Sequence, residues 1–287
     1  MHFRWNYEKP TPEQSQVAKE LAAKLCISPV LTSLLVKRGV TTECAAKRFF
    51  RPQLADLINP FVMKDMDIAV ERLNDAMGRK ERILVYGDYD VDGCTAVALV
   101  YKFLRQYYSN IDYYIPDRYD EGYGVSNRGI DYAKQTGVKL IIILDCGIKA
   151  IEEIAYAKSL GIDFIVCDHH MPDEQLPNAV AILNPKQDND PYPFKDLCGC
   201  GVGFKFMQAF AKNNGIPFSR LIPLLDFCAV SIAADLVPVV DENRILAFHG
   251  LKQLNQNPSI GLKAIIDTCG LTGRELSMSD IVFKIGP

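Results

Sequence analysis

Apolar positions change their spacing near residue 82. Before it they recur at helical intervals, with Val17, Ala18, Leu21, Ala22 and Leu25 marking one face. Thr11-Pro12-Glu13-Gln14 ahead of them supplies an N-cap, a proline at the first helical position and a capping-box glutamine. Thr42-Glu43 opens a second predicted helix that runs to Phe50, and residues 63–77 form a third. From Arg82 short apolar runs alternate with helical patterns. Strands are predicted at 82–87, 111–115, 139–145, 162–168 and 179–183, and helices at 93–108, 127–136, 149–159 and 202–213. That alternation predicts an α/β fold: an open, mainly parallel sheet flanked by helices, with a helical N-terminal segment in front of it. After Phe218 the pattern is helical again, through Val230 and from Arg244 to Asn255.

Three of the predicted strands stop at an acid. Ile83-Leu84-Val85-Tyr86 leads into Gly87-Asp88-Tyr89-Asp90-Val91-Asp92-Gly93. Leu140–Leu144 leads into Asp145, and Phe164–Cys167 into Asp168-His169-His170. Open α/β sheets bind ligands outside the carboxyl ends of their strands, so these ends deliver five aspartates and two imidazoles to one crevice. Carboxylates crowded without a partner raise one another's pKa. A divalent metal is the simplest group to hold them, and a metal-dependent hydrolase is the leading expectation.

Each motif has a plainer reading. Asp88-x-Asp90-x-Asp92-Gly93 begins like an EF-hand loop, but its twelfth position is Leu99 and a strand precedes it. Asp90-x-Asp92-Gly93-x-Thr95 also suits an aspartyl-phosphate phosphatase, a class with no need of adjacent histidines at a later strand end. An acidic cap on the following helix needs one aspartate, not three. A lone strand-end histidine is usually a core residue. Two adjacent ones among only four in the chain, beside an acid, reverse that prior. Asp235, inside the apolar segment Phe227–Pro238, is either a ligand or a surface acid at a helix end, and the sequence weighs these evenly. Glu121-Gly122-Tyr123-Gly124 and Gly199-x-Gly201-x-Gly203 precede predicted helices, where backbone amides can meet phosphate or glycine can serve close packing. Arg118, Arg128, Lys149 and Lys205 lie near these loops, with surface solvation as the default reading.

Bulk properties change this picture little. The 287 residues are 48% hydrophobic and 23% charged, as in an ordinary globular protein. A formal net charge of −3 gives no global nucleic-acid signature, although acidic metal ligands mask basic residues in that sum. Nine scattered cysteines without a CxxC pair predict free thiols in a reducing cytoplasm. Met1-His2-Phe3-Arg4-Trp5 is not the start of a signal peptide, and no apolar run reaches the ~18 residues of a membrane span. The chain ends Ile281-Val282-Phe283-Lys284-Ile285-Gly286-Pro287 without a terminating helix or polar tail, as expected of a segment interrupted within a longer protein.

Taken together, Asp-x-Asp-x-Asp-Gly, a strand-end Asp, Asp-His-His and a later Asp in an apolar segment resemble the four motifs of the DHH phosphoesterase superfamily. Pro116-Asp117-Arg118-Tyr119-Asp120-Glu121-Gly122-Tyr123-Gly124, Asn184-Pro185, Tyr192-Pro193-Phe194, Gly201-Val202-Gly203-Phe204-Lys205 and Ala234-Asp235-Leu236-Val237-Pro238 are similar to its bacterial single-strand-specific 5′→3′ exonucleases. The likeness runs from about Arg82 to the end. It implies a helical segment at 1–62, a DHH catalytic domain at 63–240 and a helical extension at 241–287 leading to a second lobe and an OB-fold, neither of which fits in this chain. It implies hydrolysis of phosphodiesters with two Mn²⁺ or Mg²⁺ ions. Asp145 would bridge them, Asp88 and Asp90 would hold one, and Asp92, His169 and Asp235 the other. His170 would contact the scissile phosphate and Asp168 would orient an imidazole. Arg118, Gly122, Tyr123, Gly124, Gly201 and Lys205 would contact the substrate. The implied partner is single-stranded DNA, with a single-strand-binding protein for the full-length enzyme, a monomeric state and no membrane. Superfamily relatives place a histidine four residues before the first Asp of the metal-binding pair. Here that position is Tyr86, which leaves Asp88 to take over. The alternatives are a phosphoesterase for pyrophosphate or short oligonucleotides, and a catalytically inactive DHH scaffold.

Overall fold

The computed structural model describes residues 8–287, so the N-terminal pentapeptide considered above lies outside the described residues. The chain divides into two units, one ending at Asp56 and the other spanning Leu57–Pro287.

The first unit is helical. Its helices are α1 (Pro12–Leu25), α2 (Pro29–Lys37) and α3 (Glu43–Phe50). The expected capping box forms: Thr11 Oγ1 accepts from Gln14 N–H at 3.2 Å and Gln14 Oε1 from Thr11 N–H at 2.9 Å. Helix α2 was not expected, because Val30, Leu31 and Leu34 are exposed and blur the apolar face. Its start does carry a signal, Ser28 as N-cap followed by Pro29. Leu21, Leu35 and Ala46 form the core of this unit.

The second unit starts with α4 (Met66–Gly78) and then alternates: β1 (Arg82–Gly87), α5 (Val91–Leu104), β2 (Ile111–Tyr114), α6 (Asn127–Gln135), β3 (Val138–Leu144), α7 (Ile151–Ser159), β4 (Asp163–Cys167) and β5 (Ala181–Leu183). The five strands form one sheet in the order β2-β1-β3-β4-β5, every pair parallel. The near-continuous apolar runs have their reason here, since parallel strands with helices on both faces are buried on both sides. Leu84, Tyr86, Ile141 and Ile143 pack towards α6 and α7. The alternate residues face α4, α5 and α8 (Gly199–Asn213). Chain order reverses between β1 and β3, which makes their carboxyl ends the place where a crevice opens.

Helix α9 (Leu225–Ala234) is buried almost all round and packs on α5, α8 and α10 (Asp241–Gln256). Helix α11 (Ile260–Thr268) follows. The end of the chain departs from expectation. Met278–Asp280 is helical and Ile281–Ile285 continues it as a π-helical turn, started by a Ser277/Asp280 capping box. Among the described residues no helix is long and apolar enough to cross a membrane.

Candidate metal centre

The parallel register brings the three motif acids together. Gly87 lies beside Leu144, and Leu144 beside Cys167. Asp88, Asp145 and Asp168 are the next residue of each strand. The ladder continues to them, with Asp145 N–H donating to Cys167 O at 2.9 Å and Asp168 N–H to Leu183 O at 3.0 Å. The chain then turns sharply. Asp145 takes φ +61°, a left-handed conformation that Asp tolerates better than most side chains. Gly93 lets the acidic loop fold back on β1, since a Cβ there would stand 2.4 Å from Asp88 O.

His169 is the hub. Its Nε2 lies 3.1 Å from Asp145 Oδ1, 3.7 Å from Asp92 Oδ2 and 3.7 Å from Asp235 Oδ2. Asp235 reaches it from the C-terminal end of α9, so of its two readings the structure favours the one inside the cluster. Asp92 is anchored from elsewhere in the chain. Gly199 N–H donates to its Oδ2 at 2.7 Å, and Cys200 N–H and Ser231 Oγ–H to its Oδ1, each at 2.7 Å. The N-terminus of α8 is therefore spent on a protein carboxylate. Gly199 is required there, because a Cβ at that position would stand 2.5 Å from Asp145 Oδ1. Neither Ser231 nor the Gly199 and Cys200 amides were singled out as site residues from sequence. The one available sign was a serine four residues before Asp235, on the same helical face.

Asp168 does not face the hub. It is 1% exposed, and its Oδ1 accepts from His169 N–H at 2.7 Å and His170 N–H at 3.1 Å, while Ile148 N–H reaches Oδ2 at 2.9 Å. His170 Nδ1 lies 2.7 Å from Asp168 Oδ1. That hydrogen bond holds the His170 pKa above the ordinary imidazole range, outweighing burial. Burial alone would raise Asp168, but the hydrogen bond and charge of His170, with the surrounding amides, bring it below the ordinary carboxylate value. Tyr123 stands over the pair, its hydroxyl 3.4 Å from His170 Nε2 and 3.4 Å from Asp145 O. A cleft of about 300 Å³ opens here, lined by Tyr123, Cys146, Ile148, Lys149, Asp168 and His170.

Asp88 is fully buried, and Gly124 N–H approaches its Oδ1 at 3.5 Å. Asp90 is exposed and caps α5, its Oδ1 accepting from Gly93 N–H at 2.8 Å. The capping reading thus holds for one oxygen of Asp90 without removing the residue from the crevice.

These groups suit a cation. Asp88 Oδ2, Asp145 Oδ1 and His169 Nδ1 are buried without a hydrogen-bond partner among the described residues; the 3.1 Å contact of Asp145 with His169 lacks hydrogen-bond geometry. Burial, then the charges of Asp92 and Asp90, push the Asp145 carboxyl up to about 12. Burial is also the leading reason that Asp88, Asp92 and Asp235 are raised. Positive charge at the hub would restore all of them to the ionised, ligating form. Asp145, His169 and His170, and separately Asp92, His169 and Asp235, each place ligand atoms within 4.8 Å of one another. Oxygen and imidazole donors together suit Mn²⁺ and tolerate Mg²⁺.

The expected substrate contacts divide. Arg118, Gly122, Tyr123 and Gly124 lie on the loop beside the crevice, with the Arg118 guanidinium 5.2 Å above the Tyr89 ring. Lys205 and Gly201 do not face it, and this corrects the sequence reading. Lys205 is fully buried; its Nζ donates to Glu242 Oε1 at 2.9 Å and Ile58 O at 2.5 Å. Gly201 is buried in the first turn of α8, its N–H turned to Cys198 Sγ at 3.2 Å. Both are packing residues because α8 is covered on every side. Of the other basic residues, Lys149 pairs with Asp173 at 3.0 Å and Arg128 lies 3.9 Å from Asp120, both at the surface.

An open parallel sheet carrying an acidic and imidazole cluster at its switch point defines the class, and the sequence comparisons agree. Residues 82–232 match the family described as "DHH family, N-terminal domain", and the chain belongs to that family. Among named proteins it is similar to the single-stranded-DNA-specific exonuclease RecJ of Bacillus subtilis (strain 168), 40% identical over 285 residues, which is 99% of this chain and 35% of that protein. The RecJ of Escherichia coli (strain K12) is 36% identical over 273 residues, 91% of this chain and 46% of the relative. The chain thus spans about a third to a half of the length of these relatives. Among solved structures, exonuclease RecJ bound to manganese aligns with TM-score 0.72 at 30% identity, over 82% of this chain and 58% of that one. RecJ from Thermus thermophilus in complex with Mn²⁺ aligns with TM-score 0.79 at 26% identity, over 98% and 39%.

Proposed function

We propose that this chain is the phosphodiesterase part of a RecJ-like enzyme that degrades single-stranded DNA from the 5′ end in repair and recombination, using two divalent ions, Mn²⁺ or Mg²⁺. The observation that carries the reading is the placement of one imidazole nitrogen, His169 Nε2, within 3.1–3.7 Å of three carboxylates from three separate elements. Similarity to proteins named for this activity supports it.

Asp92, His169 and Asp235 would hold one ion and Asp88 with Asp90 the other, Asp145 serving both. Divalent ions held there would supply Lewis-acid charge to offset the phosphate and to activate water. The chain's own residues do the rest. Asp168 favours the protonated form of the His170 imidazole and fixes its rotation through Nδ1, which would leave Nε2–H to donate to a phosphate oxygen. The amides of Gly199 and Cys200 and the hydroxyl of Ser231 fix the position of Asp92 and oppose the effect of burial on its carboxyl. Tyr123 and Arg118 offer an aromatic face and a cation at the crevice edge, groups that suit a single strand. A monomer, a cytoplasmic location and a single-strand-binding protein as partner of the longer enzyme belong to the same reading through the resemblance.

The test is calorimetric titration with Mn²⁺ followed by cleavage of end-labelled oligonucleotides. Two ions per chain and Mn²⁺-dependent release of 5′-terminal nucleotides from single strands are expected. Cleavage of pyrophosphate but not of oligonucleotides would move the chain to the small-substrate phosphoesterases. Failure to bind any divalent ion would leave an inactive scaffold.

A further inference from the structure

Tyr86 stands four residues before Asp90 near the end of β1, and its hydroxyl is committed away from the acids. The residue is 1% exposed and sits on β1 two residues before Asp88, paired with Ile143. Its hydroxyl donates to Gly124 O at 3.0 Å, accepts from Ser126 N–H at 3.2 Å and lies 3.5 Å from Ser126 Oγ. All three contacts are to the same loop. The ring is fixed as tightly. It stacks on Tyr114 at 5.3 Å, and a Cβ on Gly129 of α6 would stand 2.6 Å from its Cε2. Phenylalanine would fill the same volume, so packing does not account for the oxygen.

The loop is held from its other side by Glu121. That carboxylate accepts from Tyr114 Oη–H at 2.9 Å, Asp117 N–H at 3.0 Å and Ser126 Oγ–H at 2.5 Å. Tyr86, Tyr114 and Glu121 thus form one frame around the segment from Asp117 to Ser126. Gly122 and Gly124, at φ +80° and +84°, reverse the chain on either side of Tyr123. The outcome is specific. Tyr123 Oη comes to 3.4 Å from His170 Nε2, and Gly124 N–H faces Asp88.

We infer that Tyr86 is a positioning residue whose buried hydroxyl locks the Glu121–Ser126 loop in the form that presents Tyr123 beside His170, and so sets affinity for the phosphate-bearing strand without touching it. A loop ordered before binding loses less conformational freedom when the strand docks. The frame therefore acts on substrate affinity and makes no hydrogen bond with the side chains of Asp92, Asp145, His169 or Asp235; the loop it holds approaches the proposed ligands through Gly124 N–H, 3.5 Å from Asp88 Oδ1, and through Tyr123 Oη, 3.4 Å from the backbone oxygen of Asp145. The inference deepens the phosphodiesterase reading and rests on it.

Tyr86→Phe in the full chain, loaded with Mn²⁺, is the experiment. KM for a single-stranded oligonucleotide should rise ~5–10-fold, the scale of one buried hydrogen bond, with kcat within about twofold. Affinity for the Mn²⁺ proposed to sit at Asp92, His169 and Asp235 should not change, and amide hydrogen exchange at residues 121–126 should quicken. Tyr114→Phe, which loosens Glu121, should shift KM and exchange in the same direction by less. Unchanged KM and exchange, even with a lower melting temperature, would make Tyr86 a plain core residue and overturn the inference. A fall in affinity for the Mn²⁺ proposed at Asp92, His169 and Asp235, or in kcat at constant KM, would overturn it too. If the unaltered protein cleaves nothing, the phosphodiesterase reading fails separately. The exchange rates and the affinity for a non-cleavable phosphorothioate strand still report on the clamp.

Discussion

Gly199 and Asp145 are packed so closely that a methyl group at position 199 would stand 2.5 Å from Asp145 Oδ1 and 2.7 Å from its Cβ. The start of α8 thus doubles as a wall of the acidic crevice. Helix and carboxylate can share this space only while residue 199 has no side chain. The same residue donates its amide to Asp92. Gly199→Ala should therefore disturb two of the proposed ligands at once. We expect ~1–3 kcal/mol of destabilisation from overpacking and a loss of Mn²⁺ affinity of at least tenfold. Gly201→Ala, whose Cβ would meet Cys198 Sγ at 3.2 Å, should be milder in both. Equal metal affinities for Gly199→Ala and the unaltered protein, by calorimetry, would show that the contact relaxes at no cost to the site.

If Asp145 holds the ions as proposed, metal binding should be linked to stability and pH through it. Its folded-state pKa, about 12, lies far above the ordinary carboxylate value of 3.8. For a group raised on folding, the folded state binds more protons, so stability is fully present below the unfolded pKa and falls as pH rises towards the folded one. The metal-free protein should melt at progressively lower temperature as pH climbs from about 5 to 9. Excess Mn²⁺ should reverse the trend and add about 2.7 kcal/mol at a hundred times Kd. Asp145→Asn should flatten the metal-free pH dependence while removing the Mn²⁺ stabilisation. Scanning calorimetry with and without Mn²⁺ measures both, and a steep metal-free slope retained in Asp145→Asn would exclude Asp145 as its source.

The two histidines should separate. His169→Ala removes the nitrogen that three carboxylates face, so metal content should collapse. His170→Ala should keep its metal and lose turnover by ~10²–10⁴-fold, the range for a group acting on the transition state. Asp168 couples to this through the 2.7 Å contact. Because His170 is raised, the stability of that pair is complete below the ordinary imidazole pKa of 6.5 and disappears as pH rises through the higher folded value. Its acid limb lies where pH falls through the lowered pKa of Asp168. Asp168→Asn should bring the His170 titration back towards 6.5, as read by NMR on the metal-free protein. Elemental analysis showing His170→Ala as the metal-poor variant would exchange the two roles.

Lys205 provides a test far from the crevice. Its ammonium is buried against Glu242, whose other oxygen accepts from Tyr192 Oη–H. Lys205→Met leaves a buried carboxylate without its cation and should destabilise the protein by ~3–5 kcal/mol. Lys205→Met combined with Glu242→Gln should recover part of the loss. Strand affinity and its salt dependence should not change in any variant that remains folded. A smaller salt slope for Lys205→Met would return this lysine to the phosphate-binding surface.

Much was legible from local pattern. Apolar runs at Ile83–Tyr86, Leu140–Leu144 and Phe164–Cys167 predicted a parallel sheet, because strands covered on both faces have no polar side. The acids that end them marked the crevice, because parallel strands leave their carboxyl ends on one edge. The Thr11 capping box was likewise readable, since its partners are three residues apart. Contacts between distant segments came from the packed fold alone. Asp92 meets Gly199 and Ser231 across 107 and 139 residues, and no pattern within one helix encodes that meeting. Lys205 and Gly201 looked like phosphate contacts because a lysine and a glycine-rich turn are ambiguous until their surroundings are known; α8 is enclosed, so one became an internal ion pair and the other a packing position. Tyr86 looked like a missing ligand, and its oxygen instead ties down a loop about forty residues away. Local pattern was enough to say which residues end the strands and what chemistry they carry. Which of them face the crevice was left to the assembled fold, because burial and hydrogen-bond partners are set by segments that approach from elsewhere in the chain.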